Sequence, residues 1–298
     1  MKHFLSYLLV FFCIISCSDK NDLDAPKTFL IDNPLAKSIS VTIDSKVYEM
    51  KPNSNQEIEL APGKHTLKSV FTGEVGFQVM RSGYKGALIN PTLQPYISAF
   101  ESYTRGPQER DGGYQGGYVK EIEIDGIIFE GKFKKSEKLF IVNDWNFKPG
   151  EPFPKVVETY DDKINTLIQN KIFRKMEFVD YIERMDKTVG SFAKSSVASF
   201  IPVVVEPDSG KVLPNFENQK LQASMKGIRV FVDDLIADKL PKDQVDWNKR
   251  YTDATQAPYK DMTVLNKCSQ ADQDNFQKII LQFNEIVFQP VIIKSVKK

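Results

Sequence analysis

The side chains that usually supply nucleophiles, proton carriers or metal ligands are few in this sequence. It contains three cysteines and two histidines among 298 residues. Cys13 and Cys17 lie within or directly after the N-terminal apolar run, which leaves His65 and Cys268 as the others beyond that run. A histidine-based catalytic triad would have to use His65, but His65 lies at the predicted start of a strand, where a surface or edge role is expected. A structural zinc site needs about four cysteine or histidine ligands, and too few remain. The sequence therefore predicts neither site.

Cys268 directly precedes Ser269, where a helix is predicted to begin. The dipole at a helix N-terminus can lower the pKa of a thiol and so create a reactive thiolate. No histidine and no second cysteine lie near it in the sequence. We therefore interpret Cys268 as a partly buried structural thiol.

Carboxylates offer the remaining route to catalysis, because two of them about 5 to 9 Å apart can serve a glycosidase. With 39 acidic residues in the chain, such pairs also arise by chance, so a carboxylate-dependent hydrolase such as a glycosidase is the alternative function. No calcium-loop spacing and no phosphate loop is found, so we expect no cofactor and no metal. The acidic residues near predicted loops or element ends are Glu101, Glu109, Asp111, Asp144, Glu151, Asp161, Asp162, Asp233, Asp234, Asp243 and Asp246.

Aromatic residues in predicted loops are the candidates for binding. Residues 112–118 combine four glycines with Tyr114 and Tyr118. Because glycine contributes no packing, these two rings are hard to place in a core, and they can dock onto a protein or stack on a sugar. Trp145 lies between two polar residues and is a further candidate for a carbohydrate contact. The alternative is that Trp145 closes one end of a β core.

The overall composition indicates a folded chain and argues against nucleic-acid binding. The chain is 41% hydrophobic and contains 21 phenylalanines and 11 tyrosines, enough apolar surface to form a core. Its 40 basic and 39 acidic side chains give a net charge of +1, which offers no overall attraction to a polyanion. At this length we expect two domains, or three small ones.

The N-terminus carries the most specific motif. Lys2 and His3 precede an apolar run over residues 4–16, which as a helix would be about 20 Å long, short of the roughly 30 Å hydrocarbon core of a bilayer. Such a run is typical of a signal peptide. Its end, Ile14-Ile15-Ser16-Cys17, resembles the lipobox of bacterial lipoproteins. The resemblance implies cleavage before Cys17 and acylation of its thiol and new amine, whereas the alternative is an ordinary secretory signal that contains a cysteine.

Residues 18–24 are polar and acidic, so we predict a flexible tether behind Cys17. This segment resembles the acidic export signal of surface-exposed lipoproteins of Bacteroidota. A solvated tether with incidental acids is the alternative. Both the periplasmic face of the outer membrane and the cell surface therefore remain open as locations.

Residues 29–72 have the alternating pattern of four short strands and predict a small antiparallel sandwich. Asn33-Pro34, Ser40-Val41-Thr42-Ile43 and Pro62-Gly63-Lys64-His65 resemble in style the small N-terminal β-modules of Bacteroidota lipoproteins. The resemblance implies a spacer without functional residues of its own.

The rest of the chain predicts a β-rich part over 73–160 and a helix-rich part over 161–298. In the first, Asp125-Gly126 predicts a type I′ hairpin turn. In the second, helical spacing runs from Ile164 to Met185, residues 200–206 read as a strand, and helices are predicted around 221–235 and from Ser269 onward.

Together these patterns predict an α+β protein with a signal peptide over 1–16, a lipidated tether over 17–28, the β-module over 29–72 and a mixed domain over 73–298. We expect a lipid-anchored, non-enzymatic component of the outer membrane that binds through Tyr114, Tyr118 and Trp145. The expected partners are the membrane, through acylated Cys17, and an outer-membrane protein or a glycan, with no nucleic acid.

Overall fold

A computed structural model describes most of the chain from residue 23 onward and divides it into two units. One unit is β-rich and contains the described residues between 26 and 212 together with those from 288 onward; the other is helical and contains the described residues up to 25 and those between 213 and 287. Each is treated by itself below. The described residues are 23–81, 85–104, 120–152, 166–186, 205, 215–260 and 268–297.

The strands of the β-rich unit form four sheets. The central sheet, in the order β12-β7-β1-β4, is flanked by a five-stranded sheet, β14-β6-β5-β2-β3, and a three-stranded sheet, β11-β8-β13, while β9 and β10 form a hairpin. The strands are β1 (Lys27–Asn33), β2 (Ile39–Ile43), β3 (Lys46–Met50), β4 (Ser54–Leu60), β5 (Gly63–Ser69), β6 (Gly73–Val79), β7 (Ala87–Ile89), β8 (Tyr96–Thr104), β9 (Lys120–Ile124), β10 (Ile127–Gly131), β11 (Phe133–Ser136), β12 (Phe140–Val142), β13 (Thr166–Arg174) and β14 (Val291–Lys297).

The described helices confirm the α+β class. In chain order they are α1 (Lys175–Asp186), α2 (Gln219–Ser224), α3 (Lys226–Ile236), α4 (Gln244–Lys260) and α5 (Gln270–Val287). Helix α1 follows β13 directly and belongs to the β-rich unit, whereas the other four belong to the helical unit. None of these helices combines the length and the apolar character that a membrane span requires, in the part of the chain that the structure describes.

The central sheet is covered on both faces. On β1, Phe29 and Ile31 pack towards the five-stranded sheet, whereas Leu30 packs towards Tyr96 and Ile172 of the three-stranded sheet. Because successive side chains of a strand point to opposite faces, a strand covered on both sides is buried along its length. This explains why the last five residues of β1 are all buried.

The outer face of the three-stranded sheet is covered by α1 and the β9–β10 hairpin. Phe178 of α1 is fully buried and makes edge-on contacts with Phe129 and Phe173 at centroid distances of 5.6 and 5.9 Å. The hairpin turn has positive φ at both central residues, 52° at Asp125 and 79° at Gly126. This is the backbone of the predicted type I′ turn, and the prediction of the hairpin is confirmed.

The expected boundary between residues 72 and 73 falls inside one sheet and is wrong. Strand β6 begins at Gly73 and pairs with β5 over its whole length, from Gly63 opposite Val79 to Ser69 opposite Gly73. Strands β1 and β4 join β7 and β12 in the central sheet. The four predicted strands exist, but they do not form a separate module, because their ladders and their core continue into later parts of the chain.

The predicted helical stretch from Ile164 to Met185 is wrong in its first half. Residues 166–174 form β13, paired with β8, and the helix α1 begins only at Lys175. Ile172 and Phe173 are both fully buried because the two faces of this sheet are both covered. A strand of this kind lacks the alternation that distinguishes it from a buried helix.

The helical unit is organised around caps and an aromatic core. Ser269 accepts a hydrogen bond from the backbone N–H of Asp272, as predicted for the start of α5. Trp247 and Tyr251 of α4 stack at 5.6 Å and 9°, and Tyr251 stacks on Phe283 of α5 at 5.8 Å. These rings therefore supply core contacts between α4 and α5.

Candidate functional site

A buried ion-pair network lies between the central and three-stranded sheets. Asp32, on β1, is fully buried and accepts a hydrogen bond of 2.5 Å from the Tyr96 hydroxyl. It also accepts two from Arg174, at the end of β13, from Nε at 2.9 Å and Nη2 at 2.6 Å. Burial, and then the charge of Asp32, raise the pKa of Tyr96 well above its ordinary value, so this phenol stays protonated.

The buried Lys171 of β13 forms a second ion pair with the partly exposed Glu177 of α1. The Lys171 ammonium lies 2.6 Å from Glu177 Oε1, donates to the Lys148 carbonyl at 3.0 Å, and lies 4.6 Å from the centre of the Phe173 ring. Burial lowers the pKa of Lys171, and the carboxylate of Glu177 opposes that effect. The Asp32–Arg174 pair connects β1 to β13, and the Lys171–Glu177 pair connects β13 to α1 and the 147–151 loop, so both have a structural role.

The cavity that offers room for a ligand lies at one edge of the layered sheets. It has a volume of about 300 Å³ and lies where the edge strands β11, β12 and β14 of the three sheets come together. One wall is polar and includes Ser98, Lys134 and Lys138, and the opposite wall is apolar and includes Val291 and Ile293. The cavity therefore has the mixed character of a binding site, at the small end of the usual size range.

Strand pairing accounts for the polar wall. Lys134 of β11 lies opposite Ser98 of β8, and Ser136 lies opposite Tyr96, whose side chain packs between the two sheets. Residues that lie opposite each other on paired strands point to the same face. Lys134 and Ser98 therefore face the space beside the central sheet, on the same side as Tyr96.

The charges of the cavity are unevenly paired. Lys135 binds Glu137 with a distance of 3.1 Å from Nζ to Oε1. Lys134 and Lys138 have no carboxylate partner among the residues that the structure describes. The lining contains three lysines and two carboxylates, Glu137 and Asp144. The β11 side of the cavity thus carries positive charge that a carboxylate of a ligand could neutralise.

The predicted binding residues fall on different parts of the chain. Cys17, Tyr114 and Tyr118 lie outside the described residues. Trp145 is 9% exposed and packs with Leu30 and Ile172 between two sheets, so its ring is not presented to a sugar. Its position matches the alternative interpretation, in which it closes part of the β core.

The contacts that the structure gives His65, and the environment of the Cys268 thiol, fit structural roles. The His65 ring lies 2.5 Å from Asp44 Oδ2 through Nδ1 and 2.7 Å from the Ala61 carbonyl through Nε2, and it stacks on Phe77. Burial and the nearby charge of Asp272 raise the pKa of the Cys268 thiol, which is the reverse of what a reactive thiolate needs.

The candidate carboxylates have mostly structural neighbours. Asp234 pairs with Arg250 at 2.6 Å, Asp243 caps α4 through the backbone N–H groups of Val245 and Asp246, and Glu151 lies near Lys148. Asp144 lines the cavity, and Asp233 and Asp246 are exposed. The others lie outside the described residues, as does the side chain of Glu101. The side chains that could hold a metal do not form a group of three anywhere in the described ranges.

Sequence reasoning missed the buried network and the cavity. Asp32 had a local signal, because a charged residue directly follows the apolar run Phe29-Leu30-Ile31. A charge at such a position needs a buried partner, and Arg174 provides it. The cavity had no local signal, since its walls come from strands that are far apart in the sequence.

Three comparisons with known proteins were made: no protein-family model, no curated protein and no solved structure matches this chain.

Proposed function

We propose that this protein is a lipid-anchored, non-enzymatic component of the outer membrane that binds a partner protein through its β-rich unit. The observation that carries the anchor is the sequence Ile14-Ile15-Ser16-Cys17 at the end of the apolar run. Two or more acyl chains make membrane attachment stable, because each buried methylene group contributes about 0.8 kcal/mol.

A binding role is supported by how the β-rich unit uses its charged side chains. The buried charges of Asp32, Arg174 and Lys171 have protein partners, whereas Lys134 and Lys138 line a cavity with an apolar opposite wall. An apolar surface with a few convergent polar groups is the usual form of a binding site. Burial of Trp145 removes one residue expected to stack on a sugar, so a protein partner is favoured over a glycan.

A carboxylate-dependent hydrolase is the second candidate, because Glu137 and Asp144 both line the cavity. Glu137 is paired with Lys135, which leaves Asp144 as the acid without an ion-pair partner in the described part of the chain. Hydrolysis of a glycan that is abolished in both Glu137→Gln and Asp144→Asn would establish this candidate in place of the binding role.

The anchor is tested by metabolic labelling with radioactive palmitate in the bacterial host. The native protein should take up label and fractionate with membranes, and Cys17→Ser should lose both properties and accumulate as the uncleaved precursor. Cys13→Ser is the matched control, because it removes a thiol from the apolar run and leaves Cys17 in place. Equal labelling of the native protein and Cys17→Ser would overturn the proposal.

A further inference from the structure

The central sheet ends on β12, a strand of three residues that pairs with β7. Its other edge has no strand beside it among the described residues. The edge strands of the two flanking sheets, β11 and β14, line the same cavity as β12. The cavity is therefore a slot at the place where one more strand of the central sheet would lie.

The hydrogen bonds beside β12 show which of its backbone groups point into this slot. Asn90 N donates to Leu139 O at 2.8 Å and Asn143 N donates to Gly86 O at 3.2 Å. Bonded and non-bonded pairs alternate in an antiparallel ladder, so Ile141 also bonds to β7, and the backbone groups of Phe140 and Val142 point away from it. The Val142 carbonyl accepts from Asp144 N at 2.9 Å.

Three backbone groups of the outer edge therefore remain for a ligand. They are the N–H and the carbonyl of Phe140 and the N–H of Val142, which have no partner in the part of the chain that the structure describes. Their order along the edge is donor, acceptor, donor, which is the pattern that an added strand satisfies with its own backbone. Peptides that add a strand to an exposed sheet edge gain their affinity from such bonds.

The walls of the slot define the side chains that an added strand should carry. Its residues would point alternately towards β11 and towards β14. On the β11 side they would meet Lys134 and Lys138, which lack carboxylate partners among the described residues. On the β14 side they would meet Val291 and Ile293, which pack on the apolar core.

We propose that the slot binds an extended segment of a partner protein in which acidic and apolar residues alternate, and that this segment adds to β12 as a further strand of the central sheet. The inference rests on the proposed binding role and identifies the chemistry of the partner. Acidic side chains neutralise Lys134 and Lys138, and apolar side chains cover Val291 and Ile293. The cavity of about 300 Å³ accommodates only a few side chains, so the segment is short.

Lysines on short edge strands also serve to prevent edge-to-edge pairing, and the experiment must separate that role from binding. The full-length protein is titrated with a capped seven-residue peptide of alternating valine and glutamate. One control peptide alternates valine and lysine, and a second repeats the valine–glutamate sequence with N-methylated backbone amides. We expect the first peptide to bind and each control to bind at least about tenfold more weakly, because one has the wrong charge and the other cannot complete the ladder.

Variants of the protein test the two walls separately. Lys134→Glu and Lys138→Glu should each lower the affinity for the valine–glutamate peptide about tenfold, because like charges then face each other. Lys46→Glu is the matched control, since Lys46 lies on β3 at the opposite edge of the five-stranded sheet, and it should leave the affinity unchanged. Equal binding of the N-methylated peptide, or no effect of Lys134→Glu and Lys138→Glu, overturns the proposal.

Amide hydrogen exchange reports strand addition directly. The amides of Phe140 and Val142 should exchange rapidly in the free protein and slow at least about tenfold with the peptide bound, whereas the amide of Ile141, bonded to β7, should be slow throughout. Protection of Phe140 and Val142 without peptide would mean that the chain itself already pairs with this edge of β12. That result overturns the proposal.

The peptide and labelling experiments separate the two proposals. If the native protein takes up palmitate label but does not bind the valine–glutamate peptide, the slot is overturned and the anchor is not. If it binds the peptide but takes up no label, only the anchor is overturned.

Discussion

The guanidinium of Arg174 donates two hydrogen bonds to the carboxylate of Asp32, 142 residues earlier in the chain. The Asp32 side chain is fully buried, and that of Arg174 is 11% exposed. Burial alone would lower the pKa of Arg174, but Asp32 outweighs it and the pKa is raised. The pair thus connects the central sheet to the three-stranded sheet through two buried groups that are each other's hydrogen-bond partners.

Removal of Arg174 alone should be strongly destabilising. Arg174→Met leaves Asp32 buried with the Tyr96 hydroxyl as its hydrogen-bond donor, and a broken buried pair costs about 3 to 5 kcal/mol. The double variant Asp32→Leu/Arg174→Met removes both charges and should recover part of this loss. Lys297→Met, which breaks an exposed pair with Glu74, is the control and should change the free energy of unfolding far less, because solvent screens an exposed pair. Free energies of unfolding from urea titrations check all three, and a loss for Arg174→Met as small as the control's would refute the assigned role.

Lys27 should make the stability of the β-rich unit depend on pH. Burial lowers the pKa of Lys27 from 10.5 to about 8, while its ammonium donates to the Arg81 carbonyl at 3.0 Å. Between these two values the unfolded chain binds more protons at this position than the folded chain, so Lys27 contributes a stability that rises with pH. Below about pH 8 both states are protonated, and this contribution is absent.

The measurement is the free energy of unfolding at pH values from 7 to 11 for the native protein and for Lys27→Met. Other lysines and tyrosines titrate in the same range, but they are common to both proteins. The free energy of unfolding of the native protein minus that of Lys27→Met should therefore increase as the pH rises from about 8 to 10.5. A difference that stays constant would contradict the assignment.

Gly86→Ala should disrupt the pairing of β1 with β7. A Cβ atom at Gly86 would lie 1.8 Å from the Thr28 carbonyl oxygen, so the backbone itself would have to move. In contrast, a Cβ at Gly227 in α3 would lie 3.5 Å from the Ala254 Cα, an ordinary contact. Gly227→Ala should be neutral or should stabilise by up to about 1 kcal/mol, because alanine is the better helix former. Melting temperatures of the two variants test this, and equal values would refute the close approach of β1 at Gly86.

Trp145→Ala should behave as a core truncation. The side chain packs between two sheets, and loss of a buried aromatic side chain costs about 3 to 5 kcal/mol. Trp145→Phe should recover more than half of that loss, because most of the apolar contact remains. If Trp145→Ala instead left the free energy of unfolding unchanged, the ring would belong to a surface site, and its carbohydrate role would again be the better interpretation.

Local patterns predicted those elements whose partners are close in sequence. The β9–β10 hairpin follows from Asp125-Gly126, and α5 follows from the Ser269 cap and the stripe that includes Phe276 and Phe283. The boundary at residue 72 failed because β14, at the other end of the chain, pairs with β6. The helix predicted over 164–172 failed because β13 is buried on both faces and shows no alternation.

The candidate site could not be predicted from local sequence patterns. Nothing near Lys134 and Lys138 in the sequence reveals that Val291 and Ile293 line the same cavity. That relationship depends on the stacking order of three sheets. Asp32 illustrates the same limit, because the sequence indicates an unusual charge while the identity of its partner, Arg174, depends on how β1 and β13 come together.

Strand β14 can join the five-stranded sheet only after the rest of the chain has been synthesised. Lys297 of β14 binds Glu74 of β6, 223 residues earlier, and the described helices of the helical unit are encoded between them. Long-range strand pairing is slow, because the entropy cost of closing the intervening chain into a loop comes before the strand contacts stabilise it. The five-stranded sheet therefore cannot be completed until the C-terminal residues have been synthesised. Until then β6 is an edge strand of this sheet, and its backbone groups on that side have no strand to pair with.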